Sequence, residues 1–153
     1  MDKNSMDDLR KEFENFNQNE EFCADGSCSS DEEADLKDYP SYTEVLYEKL
    51  IATHVSGIYI SRWDIKNVAL AAGDSMAIHP RKRMFELLMK YASDKENMQA
   101  VLNALEAHMQ DKIAIYAELI SSFPSSEEIF QPKIDKANKT IKLFPLIIKE
   151  YFD

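Results

Sequence analysis

Met98, Leu102, Leu105, Met109, Ile113, Tyr116, Ile120 and Phe123 follow one another at steps of three or four residues. An α-helix brings such positions onto one side, whereas a strand scatters them over both faces. The run bounded by Ser93 and Phe123 therefore predicts a helix of about thirty residues, roughly 45 Å long at about 1.5 Å per residue. A rod of that length cannot cover its apolar stripe alone, so neighbouring helices must lie antiparallel along it. No other feature constrains the fold class as strongly: it predicts an all-α protein, an antiparallel bundle of four to five helices.

Local signals divide the rest of that bundle. A first helix is expected from about Tyr42 through Val45, Leu46, Lys49, Leu50 and Thr53, extended across the β-branched stretch Val55 to Ile60. A second, Arg62 to Ala72, stops where Gly73 supplies a left-handed residue. A third, Pro80 to Ala92, carries Met84, Leu87, Leu88 and Tyr91 on one face. The last carries Ile134, Ala137, Ile141, Phe144, Ile148 and Phe152, with Pro132 expected to start it and Pro145 to kink it. Capping boxes, in which a hydroxyl and a carboxylate three residues apart satisfy unpaired backbone donors, are expected at Ser41 with Glu44, Ser93 with Glu96 and Ser125 with Glu128. A weaker one is expected at Ser61 with Asp64. Only 3 glycines and 5 prolines occur in 153 residues, too few for the tight turns of a sandwich or barrel. The 44% apolar content is enough for a single sizeable core. Met76, Met84, Met89, Met98 and Met109 are expected in it, since most share helical faces with Leu and Ile.

The net charge of −10 is not spread evenly. Residues 1–38 hold 13 of the 28 acids and 4 of the 18 bases, a balance of −9, while residues 39–153 come to −1. The N-terminal stretch has too few aliphatic residues to offset the entropy of ordering it. Two regions follow: an acidic disordered tail over 1–38 and a helical bundle domain over 39–153. Within the tail, Leu9, Phe13 and Phe16 after a Ser-x-x-Asp start at Ser5 have the spacing of a short transient helix over 5–16 that folds against a partner.

No stretch reaches the roughly 18 apolar residues of a membrane span, and Asp2, Lys3, Asn4, Asp7 and Asp8 look nothing like a secretory signal. Cytoplasmic residence is expected. Cys23 and Cys28 would close only a small loop outside any core, and no His or further Cys completes a zinc set around them. His54, His79 and His108 are far apart, and Glu106 lies two residues from His108, the wrong spacing for a Glu-x-x-His metal motif. Phosphate-binding glycine loops, nucleophile elbows and kinase motifs are missing. The expectation is therefore no cofactor, no metal and no catalytic residue. Dispersed acids that converge in space as an acid and base pair remain the enzyme alternative.

Two basic features are the candidate binding residues. Arg81, Lys82 and Arg83 stand at a helix start, where positive charge opposes the macrodipole. They also follow a helix and a glycine turn, as in a helix-turn-helix, although the connection Asp74 to His79 is long and the acidic tail repels phosphate. Nucleic-acid binding through Arg81–Arg83 is thus the lesser alternative. Lys133, Lys136, Lys139 and Lys142 recur at steps of three along the final helix and read as a polar face able to attract acidic sequence, including the tail itself.

The runs Phe85-Glu86-Leu87-Leu88-Met89 and Leu105-Glu106-Ala107-His108-Met109 resemble helices of redox-enzyme maturation chaperones, and the small, acidic, helical type is similar to cytoplasmic assembly and secretion chaperones. That resemblance implies a helical fold that holds a protein partner, and it assigns no functional residue. With the missing catalytic motifs it points to a non-catalytic adaptor or assembly-chaperone-like protein using one face of a bundle.

Overall fold

The computed structural model describes Tyr39–Asp153. The expectations for residues 1–38, namely the disordered tail, the helix over 5–16 and the state of Cys23 and Cys28, lie outside the described residues.

Every regular element among the described residues is helical. Five helices have nine or more residues: α3 (Arg62–Ala72), α4 (Arg81–Tyr91), α5 (Lys95–Ser122), α6 (Glu127–Ile141) and α7 (Phe144–Phe152). Two single-turn helices, α1 (Thr43–Leu46) and α2 (Thr53–Ser56), precede them. The long helix is the organiser, because α3, α4, α6 and α7 all pack against α5. Its Met98, Val101, Leu102, Leu105 and Met109 are buried among Leu50, Ile60, Ile65, Phe85 and Leu88. All five central methionines are buried as well. None of the described helices is long and apolar enough to cross a membrane.

α5 leads two lives along its length. Past Met109 none of its residues is fully buried, and the same holds on α6 until Ile134. There the two helices form an arm, joined by a 3₁₀ turn at Pro124–Ser126 and held by half-buried Ile113, Leu119 and Ile120. The rings of Tyr116 and Phe130 stack across it at 5.1 Å.

The expected first helix is broken into three pieces. After α1 the backbone widens into a π-turn, Tyr47–Ile51, with the Ala52 amide donating to the Tyr47 carbonyl at 3.2 Å. α2 then stops at Gly57, whose φ of 76° is left-handed, and Ile58 and Ile60 enter the core from the non-helical stretch that follows. Gly57 is required twice over: a Cβ there would sit 2.3 Å from the Lys133 carbonyl oxygen of α6. The helical expectation holds for Val55 and Ser56 within α2 and fails over 57–60, where the left-handed Gly57 stops the helix and β-branched residues follow it.

Caps also differ from expectation. The Ser61–Asp64 box, the weakest by sequence, forms in full: Asp64 N–H donates to Ser61 Oγ at 3.2 Å and Ser61 N–H to Asp64 Oδ2 at 2.8 Å. The other three do not form. Tyr42 caps α1 without a side-chain bond. Asp94, one residue after Ser93, accepts the Asn97 amide at 2.9 Å, as an equally good cap placed at the actual helix start. Ser125 is absorbed into the 3₁₀ turn. Pro132 lies inside α6 instead of starting it, because Glu127 and Glu128 have already begun the helix. Pro145 does not kink one long helix. It occupies the first turn of α7 after a break at Lys142 and Leu143, where its missing N–H costs nothing.

Candidate functional site

Of the three basic residues at the start of α4, Arg81 is consumed by the fold. Its Nε donates to the Ile60 carbonyl and its Nη2 to the Ile51 carbonyl, both at 2.6 Å. Its guanidinium also lies 4.7 Å from the centre of the Tyr59 ring. The ends of the π-turn and of the non-helical stretch before α3 leave the Ile51 and Ile60 carbonyls without helical partners, and Arg81 satisfies both. Lys82 pairs with Glu44 at 3.1 Å, both largely exposed. Arg83 lies 4.0 Å from Glu86, whose side chain is only 6% exposed. Burial first, then the Glu86 carboxylate and its hydrogen bond, hold the Tyr39 hydroxyl above the usual phenol range. Arg81 is thus corrected from a free binding cation to an internal clip.

The four lysines do not form one stripe. Steps of three on a helix with 3.6 residues per turn drift by about 60° each, so Lys133 and Lys142 point about half a turn apart. Lys142 also lies beyond the end of α6. Lys133 and Lys136 border an open groove of about 520 Å³ between α2 and α6, with His54, Ile129, Pro132 and Glu128. Lys139 and Lys142 are exposed and do not line it.

The centre of this domain is apolar and closely packed. The void inside the core measures about 10 Å³ and is walled by apolar side chains such as Ile60, Phe85 and Leu102, barely the size of one water. Among the described residues no three His, Cys, Asp or Glu side chains gather as a metal set.

The surface feature that stands out was not singled out by sequence. α3 buries Ile65, Val68 and Ala69, and on its opposite side Trp63 and Leu70 are 62% and 66% exposed. Seven residues apart, they differ by about 20° around the helix and about 10 Å along it. Lys66 stands between them, its Nζ 5.7 Å from the Trp63 ring centre, and Arg62 is exposed one turn earlier. Among the described residues neither cation forms an ion pair. The nearest acid in sequence, Asp64, is turned to the Ser61 cap and to His108. A helical wheel of 62–72 already carries this signal, since Trp63 and Leu70 fall outside the core arc.

Fold and surface together define, among the described residues, a helical domain whose outer helix carries an apolar, basic-edged face. The chain matches no family model, no curated protein and no solved structure.

Proposed function

We propose that this protein is a non-catalytic adaptor, assembly-chaperone-like in the sense that it holds a protein partner on the outer face of α3. The observation that carries the reading is the exposure of Trp63 and Leu70 on the same side of α3. Tryptophan is usually well covered, and where it is exposed beside another large apolar group it is the residue type that dominates binding energies once covered by a partner. The core beneath is closed, so removing these side chains from the surface serves no folding purpose. The setting proposed for this activity is the cytoplasm, on the sequence expectation alone.

A photo-reactive residue placed at position 70 in the full chain tests it in extract of the source cells, against the same group at Gln99 or Asn103 on the outer side of α5. One protein captured from position 70 and not from the controls, and competed by unlabelled protein, supports the reading. Equal capture from all positions, or none, overturns it.

A further inference from the structure

The α3 face has a chemistry as well as a location, and this step rests on the docking reading just given. Trp63 and Leu70 form a short apolar ridge about 10 Å long, the distance between residues seven apart on any helix. Arg62 and Lys66, one turn apart and both without an ion pair among the described residues, lie together on one flank. The other flank carries Asn67 and Ala71, both exposed and uncharged, and Asp64, whose carboxylate is already held by Ser61. The surface therefore has a large apolar group at each end of its crest and positive charge along one edge only.

We infer that the occupant of this face is an acidic amphipathic helix of a partner protein, with Leu- or Phe-like residues at helical spacing and Asp or Glu one turn apart beside them. Apolar residues at i, i+3 or i+4, and i+7 reach along the Trp63–Leu70 ridge. Acids on the matching edge meet Arg62 and Lys66, and the one-sided charge selects one orientation of the incoming helix. A single-stranded nucleic acid also likes aromatic and basic side chains. It is disfavoured here because Leu70 and Ala71 offer no stacking surface for successive bases.

Trp63 is the only tryptophan in the chain, so the emission of the unmodified full-length protein reports on this face alone. The probes are two synthetic helical peptides with the same leucine spacing, one edged with Glu and one with Lys, and an oligothymidine. The expected result is a saturable blue shift with the Glu peptide, weakened by about tenfold or more in high salt, with no shift for the Lys peptide. The double variant Arg62→Glu and Lys66→Glu should exchange that preference. Equal binding of both peptides overturns the acidic assignment and leaves the docking reading standing. No shift with either peptide overturns the inference, and capture from position 70 then decides the docking reading separately. Saturable quenching by oligothymidine that blocks the Glu peptide overturns it in favour of nucleic acid. The peptide comparison on the unmodified chain stands even where the double variant folds poorly.

Discussion

Asp64 on α3 and His108 on α5 face each other, with Oδ1 of the carboxylate 3.7 Å from Nε2 of the imidazole. The same carboxylate closes the Ser61 cap, so one side chain fixes the start of the outer helix and ties it to the central one. Among the described residues the buried Nε2 has no hydrogen-bond partner, which leaves Asp64 as its electrostatic neighbour.

Acid should therefore loosen α3 first. Burial pushes the Asp64 carboxyl up, but the backbone and side-chain bonds from Ser61, then the charges of His108 and Lys112, hold it below 3.8. A carboxylate with a depressed folded pKa stabilises the protein fully above its unfolded value near 3.8, and that contribution is lost as pH falls through the lower folded value. Urea unfolding followed from pH 7 to pH 2.5 should show this loss. Asp64→Asn should flatten it, and should lower stability at neutral pH by ~1 kcal/mol through the weakened cap.

Arg81→Met keeps much of the side-chain bulk and removes both donors to Ile51 and Ile60. Two charge-assisted bonds to carbonyls are lost, and the expected cost is about 3 kcal/mol. Denaturant midpoints check it. A loss below about 0.5 kcal/mol, the range of an ordinary surface change, would return Arg81 to the pool of available surface cations.

Gly57→Ala should be among the most damaging single-methyl changes in the domain. The left-handed φ strains any L side chain, and the added carbon collides with the α6 backbone at 2.3 Å. About 3 kcal/mol or more is expected, read as a drop in melting temperature. The groove beside Lys133 and Lys136 should widen with it, since the clash forces α2 and α6 apart.

Trp63→Ala and Leu70→Ala should separate binding from folding. Both side chains are mostly in solvent, so each should change stability by no more than about 0.5 kcal/mol. Leu102→Ala, in the packed core, should cost about 2 to 5 kcal/mol. Partner capture, read with the photo-reactive group moved to the exposed Asn67 so that position 70 can vary, should follow the opposite order, abolished by the two α3 changes at temperatures where Leu102→Ala remains folded and still binds.

Sequence periodicity reached the architecture because apolar spacing and helix stops are local. α3 runs from Arg62 to Ala72 as read, since Ser61, Asp64 and Gly73 all lie within one turn of its ends. The Ser93 cap was misplaced because Asp94 next door has the same chemistry, and local signals do not rank two adequate neighbours. Arg81 was illegible for a different reason: its acceptors lie 21 and 30 residues away and exist only once the π-turn has formed. The lysines misled through arithmetic, as steps of three do not keep to one side of a helix. Trp63 and Leu70 needed only the wheel of their own helix, yet exposure of a tryptophan is decided by what fails to pack over it, which no local pattern states.

The arm built from the far half of α5 and the near half of α6 is thinly held, by its own two strips, by α2 along one side of α6 and by Ile113 and Tyr116 at the edge of the core. With no fully buried residue between Met109 and Ile134, unzipping that hairpin exposes little greasy surface, so its amides should trade hydrogen for deuterium far sooner than those at Met98 to Met109 of the same helix. One continuous rod thus has an anchored root and a tip expected to open at lower cost than the root.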